Sequence, residues 1–269
     1  MTVQEQVQLT EEKETLFITL YAKAHDYRSK QPLLNDKWAD EVLKTVNYDF
    51  SKAKGFGHSL TVVRARHFDE WTKEFIQANN NAIVVYLGCG LDARIFRIDP
   101  PPSVSWYDVD YPEVISLRAG VYPLRKGHFM IASSVTASGW LEQIPANRPT
   151  LILAEGLLEY LTEEQVKFLL NRVTSHFHHG QIIFDVMNTF AMRSGNDKLK
   201  QTTGAELRWA VDDVQQVDRL NRMLKRKDTI TLITSPYIRQ LRLPLRLFLK
   251  VFSVFAGFKN MLRVLRYEF

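Results

Sequence analysis

The chain has 269 residues, 45% of them apolar and 24% charged, with a formal net charge of +5. These fractions suit one globular α/β domain with added helices, and no run of eighteen uncharged apolar residues is present to span a membrane. The single cysteine, Cys89, excludes an intrachain disulfide, and acids stand near the N-terminus where a secretory signal carries bases, so a cytoplasmic protein is expected.

Residues 10–29 read as a helix, with Thr10 at the N-cap, acids in the first turn, and Leu16, Leu20, Ala24 and Tyr27 on one face. Pro32 stops it. Asn35 and Asp36 can cap a second helix carrying Trp38, Val42 and Leu43, and Gly55-Phe56-Gly57 forms a flexible break. A third helix runs from Ser59 to about Asn79, with Val63, Phe68, Trp71 and Phe75 as its apolar positions. Residues 1–80 thus make a helical cap ahead of a sheet.

Residues 82–97, Ala-Ile-Val-Val-Tyr-Leu-Gly-Cys-Gly-Leu-Asp-Ala-Arg-Ile-Phe-Arg, join a buried strand to a glycine turn and an arginine-bearing segment. Gly88 and Gly90 can adopt backbone angles closed to other residues and carry no side chain to block a ligand. In open α/β sheets the ligand crevice lies at the carboxyl ends of the strands, which puts a nucleotide-like cofactor at this turn. Ala93 and Arg94 stand where a dinucleotide fingerprint has its third glycine, so pyrophosphate binding is disfavoured. Cys89 sits inside the turn, where a small residue is needed, and is read as packing rather than as a nucleophile. Asp92 can fix the turn by local hydrogen bonding.

Residues 104–110 form the next strand, after the turn Pro100-Pro101-Pro102. Its terminal Asp110 lies twenty residues past Gly90, the interval at which a Rossmann-type unit sets an acid on the ribose hydroxyls. Asp108 projects to the same face, and the alternative role for either acid is to cap the helix that starts at Pro112. A crossover helix over residues 112–122 leads to a strand at 128–134, which ends in Ser133 and Ser134; Trp140 beyond it is assigned to core packing. Residues 151–162, Leu-Ile-Leu-Ala-Glu-Gly-Leu-Leu-Glu-Tyr-Leu-Thr, are a buried strand that runs into Glu155 and Gly156, followed by a helix over 162–178. A fifth strand at 181–187 ends near Asp185. His176, His178 and His179 gather at a helix C-terminus without a cysteine or carboxylate cluster, so no metal site is expected.

Residues 188–228 are polar and read as a loop and a helix covering the substrate. Alternation then returns: a strand at 229–234, a basic amphipathic helix at 238–255 and a closing strand at 261–267. From Arg219 onward twelve Lys or Arg face two acids, so this segment carries +10 and the rest −5. Such asymmetry can mark anionic partners, although no nucleic acid is expected. Arg239, Arg242, Arg246 and Lys250 are read as a solvated basic face over a core helix, with contact to an anionic membrane surface as the alternative.

Leu87-Gly-Cys-Gly-Leu-Asp-Ala-Arg, Trp106-Tyr-Asp-Val-Asp-Tyr-Pro and Ala154-Glu-Gly-Leu-Leu-Glu-Tyr-Leu, in this order and spacing, resemble the leucine carboxyl methyltransferase family and, within it, a bacterial tetracenomycin-type O-methyltransferase branch. The resemblance extends forward to Tyr21-Ala-Lys-Ala-His-Asp-Tyr-Arg and Arg64-Ala-Arg-His-Phe-Asp, and thins between about Phe190 and Asp228. It implies a class I, Rossmann-like sheet of seven strands, five parallel plus an antiparallel C-terminal edge pair, with the helical cap helping to close the substrate pocket. It also implies S-adenosylmethionine as cofactor and a family segment beside the acceptor at Trp209-Ala-Val-Asp-Asp213.

On that reading, residues 1–269 are one methyltransferase domain: cap 1–80, cofactor-binding core 81–187, substrate-covering insertion 188–228, and C-terminal strands and helix 229–269. Gly88 and Gly90 admit the methionine end, Asp110 holds the ribose, and Glu155 lies at the pocket edge. Arg64, alternatively a solvated surface arginine, matches a family arginine and would meet the cofactor carboxylate with its bidentate fork. Arg94 competes for that task or orients a substrate carboxylate. Ser134 is a possible adenine contact where many relatives have an acid. The acceptor is a small molecule, polyketide-like among the possibilities, offering a carboxylate or a hydroxyl oxygen. A carboxylate is preferred because Arg64 and Arg94 are cationic, whereas a hydroxyl would need a base such as His58 or His67. Protein C-terminal carboxyl methylation and a non-catalytic scaffold are the alternatives, and the sequence leaves the oligomeric state open.

Overall fold

The computed structural model describes residues 9–54 and 57–269. The first eight residues and the break expected at Gly55 and Phe56 lie outside that range. A 3-10 turn at Glu11–Thr15 enters α1 (Leu16–Tyr27), and Thr10 makes no side-chain cap, contrary to expectation. α2 (Lys37–Thr45) is capped as expected by Asp36, which accepts from the Ala39 amide. α3 (His58–Ala78) buries Val63, Phe68, Trp71 and Phe75.

The sheet follows with β1 (Ile83–Leu87), α4 (Arg94–Ile98), β2 (Ser105–Asp110), α5 (Pro112–Val121), β3 (His128–Ala132) and β4 (Thr150–Ala154). α6 (Glu163–His176) opens on a reciprocal capping box between Thr162 and Gln165, and β5 (Gly180–Met187) completes the parallel part. After α7 (Thr189–Thr203) and α8 (Gln215–Asp218) come β6 (Lys225–Thr231), α9 (Leu243–Phe252), α10 (Ala256–Lys259) and β7 (Leu262–Glu268). The strand order is β3-β2-β1-β4-β5-β7-β6, with β1 to β5 parallel and β7 antiparallel to both β5 and β6.

β1 is apolar along its whole length, and β4 from Leu151 onward, because both faces are covered. Ile83, Val85, Leu87, Ile152 and Phe184 face a layer that includes Val166, Leu170 and Val173 of α6. The alternate residues Val84, Tyr86, Leu151, Leu153 and Ile183 face Val63, Phe68 and Phe75 of α3. Trp140 is fully buried, in keeping with core packing.

Two C-terminal expectations are corrected. The sixth strand begins at Lys225, because an edge strand paired only with β7 leaves room for Lys225, Arg226 and Lys227 at the solvent side; residues 232–234 wind into a 3-10 turn instead of extending it. The long helix expected over 238–255 is divided into a 3-10 turn at Pro236–Gln240 and α9. Pro244, lacking an amide hydrogen, fits only the first turn of a helix. α9 also differs in character: Leu245 and Leu249 face the core, yet most of its outward face is apolar rather than basic.

Candidate active site

Register brings the site together. Leu87 pairs with Val109 of β2 and Ala154 of β4, and Ala154 pairs with Phe184 of β5. The next residue on each strand, Gly88, Asp110, Glu155 and Asp185, therefore stands at one level on the carboxyl edge of the sheet. β1 and β4 flank the point where strand order reverses, the usual place for a ligand crevice. A cavity of about 700 Å³ opens there, lined by Arg64, Gly88, Gly90, Asp110, Ser134 and Glu155, and also by Ala191, Ser194 and Leu199 of α7.

The glycine turn is built for close approach. Gly88 and Gly90 have φ of 61° and 50°, a region costly for other residues, and a Cβ on Gly90 would lie 3.2 Å from Cβ of Leu16. The Gly90 amide donates to one carboxylate oxygen of Asp110 and the Tyr111 amide to the other, each at 2.8 Å. Each oxygen keeps a second lone pair. Burial raises the Asp110 carboxyl to about 6 against the pull of those two donors. Asp108, on the same strand face, is fully enclosed and accepts from Trp106, Arg118 and His128. It does not line the cavity.

Behind the turn lies a dense ionic network. Arg94 is 0% exposed and pairs with Asp69 at 2.7 Å, Asp92 at 3.2 Å and Glu155. Arg97 pairs with Asp36, Asp69 and Asp92. Arg64 reaches Glu155 at 3.2 Å and Asp185 at 2.7 Å. Gly156 makes room for it, since a Cβ there would sit 3.0 Å from an Arg64 terminal nitrogen. Burial works against the Arg64 charge, but the carboxylates of Asp185 and Glu155 hold it protonated above the ordinary arginine value. Burial likewise opposes the Asp92 charge, yet Arg94, Arg97 and Lys23 keep that carboxylate well below its usual range.

Three expected site residues stand elsewhere. Arg94 is part of the wall, not the lining, because three carboxylates hold it behind the turn. His58 bonds through Nε2 to the Ala53 carbonyl at 2.8 Å, with the rings of Tyr21 and His25 tilted beside it. His67 is buried against Ser235 at 2.8 Å. Neither histidine lines the cavity.

Two buried charged residues of the lining escaped the sequence reading. Lys23 is buried, with Nζ 3.1 Å from Asp92 and 3.9 Å from Glu155. Its signal was present: Leu16, Leu20, Lys23 and Ala24 follow one helical stripe, so this lysine sits where an apolar residue belongs. Glu159 follows β4, in a 3-10 turn at Leu158–Tyr160, and its Oε2 is buried without a hydrogen-bond partner. Burial, reinforced by the Asp185 charge, pushes its carboxyl up to about 8. Its carbonyl accepts from the Arg208 and Trp209 amides, tying the 188–228 segment to the site. An acid within Leu157-Leu158-Glu159-Tyr160-Leu161 was the readable sign.

Comparison with known proteins fits this geometry. The sequence profile described as leucine carboxyl methyltransferase matches residues 16–174, from the start of α1 into α6. The chain belongs to the leucine carboxyl methyltransferase family. It is 38% identical over 241 residues to the tetracenomycin polyketide synthesis O-methyltransferase TcmP of Streptomyces glaucescens, covering 88% of this chain and 89% of that one. It is 32% identical over 236 residues to the S-adenosyl-L-methionine-dependent methyltransferase dpfgK of Gibberella zeae, covering 79% of each. In fold alone it resembles the small RNA methyltransferase HEN1, with a TM-score of 0.50 and 13% identity, over 76% of this chain and 25% of that one. This member of the family is a methyltransferase that uses S-adenosylmethionine, and its mixed seven-stranded sheet is the class I fold. No helix among the described residues is long and apolar enough to cross a membrane.

Proposed function

We propose that the chain is an O-methyltransferase that esterifies a carboxylate of a small-molecule acceptor. The observation that carries this reading is Glu159, a buried acid of the cavity lining that has no ionic partner of its own among the described residues. No histidine is among the cavity's lining residues, while Glu159 is protonated at neutral pH and has an unpartnered oxygen. A protonated carboxyl is a donor, not a base. It suits an acceptor that arrives ionised, whereas a hydroxyl must lose its proton to some group in the site.

The fit to S-adenosylmethionine rests on the strand edge. Asp110 offers two oxygens to the ribose hydroxyls, Gly88 and Gly90 leave the backbone open to the methionine end, and Lys23 and Arg64 supply cations for its carboxylate. Glu155 and Asp92 supply carboxylates for its ammonium group. Ser134, whose Oγ lies 2.9 Å from that of Thr136, is left for the adenine side. The bound cofactor supplies a methyl group already activated on a sulfonium. The protein's part is then to fix the acceptor oxygen in line with that methyl and to exclude water. Ala191, Ser194 and Leu199 of α7 also line the cavity, and its volume suits a small molecule beside the cofactor.

The test is a panel of small organic acids, phenols and C-terminal peptides, scored by mass spectrometry for cofactor-dependent methylation and by base-lability of the product. Base-labile methyl esters of small acids are expected. Turnover of phenols and of no acid would overturn the carboxylate assignment, and turnover of peptides alone would redirect it to protein C-termini.

A further inference from the structure

We propose that α9 and the turn after it form a docking surface for an anionic lipid bilayer. Twelve large apolar side chains are exposed among the described residues, and seven of them fall within the thirteen positions 243–255. Leu243, Leu247 and Val251 make one line along α9 at i, i+4 and i+8 spacing, and Phe248 and Phe252 make a second beside it. Val254 and Phe255 extend the patch past the helix end, with 77% and 61% of their surface exposed. Leu245 and Leu249 alone turn inward, joining the layer that holds Leu232 and Val264. Such a concentration of exposed apolar side chains is unusual for a surface that meets only water.

The charges choose the partner. Arg242, Arg246 and Lys250 follow the same i, i+4, i+8 spacing as Leu243, Leu247 and Val251, one position earlier in each turn, so a basic line borders the apolar face. Arg239 and Lys259 stand exposed at either end. From Pro236 to Met261 the chain has these five cations and no acid. A second copy docked on the same face through a two-fold axis would bring the basic lines together without acids to offset them. An anionic bilayer supplies both what the apolar face and what the cations need: acyl chains at shallow depth and phosphate or carboxylate headgroups at its border. Long basic side chains reach those headgroups while their stems cover apolar surface.

The surface is also coupled to the site. The Asn188 side chain, which caps α7, donates to the Gly257 carbonyl of α10 at 2.7 Å, and Met261 and Leu262, which follow α10, line the cavity. A bilayer seated on α9 and the turn after it thus borders α10, which is bonded to the start of α7.

The experiment is co-sedimentation of the purified chain with vesicles of phosphatidylcholine alone or mixed with phosphatidylserine, at low and high salt. Binding to the mixed vesicles is expected, at least tenfold weaker on the neutral ones and weakened by salt. The exposed pair Leu247→Glu and Val251→Glu should abolish it without lowering the melting temperature. Replacing Arg242, Arg246 and Lys250 by Gln should weaken it by about 100-fold and flatten the salt dependence, since each cation near an anionic surface contributes about 1 kcal/mol. A wild-type chain that stays in the supernatant with phosphatidylserine vesicles at low salt overturns the proposal. So does a dimer in analytical ultracentrifugation that Leu247→Glu and Val251→Glu dissociate, because the face would then belong to a second copy.

Discussion

Glu159→Gln isolates the protonation that the proposed chemistry uses. Glutamine keeps the shape of a protonated carboxyl and cannot ionise, so the variant lacks only the titration. Burial first, and then the Asp185 charge, raise the Glu159 carboxyl from 4.5 to about 8. An acid raised in this way holds its proton in the folded chain at pH values where the unfolded chain has released it. The stabilisation this gives is complete below 4.5 and is lost as pH rises through about 8. At about 1.4 kcal/mol per pKa unit, the difference across that window is on the order of 5 kcal/mol. In a chain of this size it corresponds to a change of about 10 °C in the gap between wild-type and variant melting temperatures. Thermal melts of both proteins without cofactor, from about pH 5 to about pH 9, should show the variant gaining on the wild type as pH rises. The methyl-transfer rate of the wild type should fall as pH passes about 8, and that of the variant should not. Melting curves that run parallel across the whole range would refute the reasoning, because Glu159 would then titrate as an ordinary carboxylate.

Asp110→Ala should lower cofactor affinity at least tenfold in calorimetric titration with the fold intact, since charge-assisted bonds to the ribose contribute about 1.5–3 kcal/mol each. Asp108→Ala should act on the fold instead: it leaves the fully buried Arg118 without its carboxylate, a loss of about 3–5 kcal/mol seen as a drop in melting temperature. Arg94→Met should behave like Asp108→Ala, with a large loss of stability, because Asp69, Asp92 and Glu155 lose a shared cation. A change confined to the acceptor KM would return Arg94 to the acceptor. Gly90→Ala forces a side chain into left-handed backbone and against Leu16, and should cost about 1–2 kcal/mol of stability while weakening cofactor binding.

Much of the architecture could be read from the sequence by local rules. Strands covered on both faces announce themselves as unbroken apolar runs, as at residues 83–87 and 151–154, and the glycines and acids at their ends mark the edge of the sheet where the cavity opens. The cap at Asp36 was visible for the same reason, since a capping bond spans only three residues, whereas Thr10 fits the same local rule and makes no cap. Local rules fail where the partner is distant. β6 starts early because its neighbour is β7, more than thirty residues on, and the expected helix over 238–255 divides just ahead of Pro244, a signal that was in the sequence but went unused.

The chemistry of the charged side chains was decided by tertiary structure alone. Arg64 and Arg94 look alike in sequence, yet packing leaves the first at the cavity with 12% of its side chain exposed and seals the second behind the glycine turn. His58 and His67 were candidate bases by residue type, and their partners turn out to be Ala53 and Ser235, outside the lining of the cavity. The Glu159 shift needs Asp185 from another strand and a burial that only the closed fold creates. Sequence spacing fixes which residues share a face of one element, because backbone geometry repeats every two or 3.6 residues. Which charge meets which depends on how the elements pack, and a buried ionic group takes its character from neighbours that can be a hundred residues away.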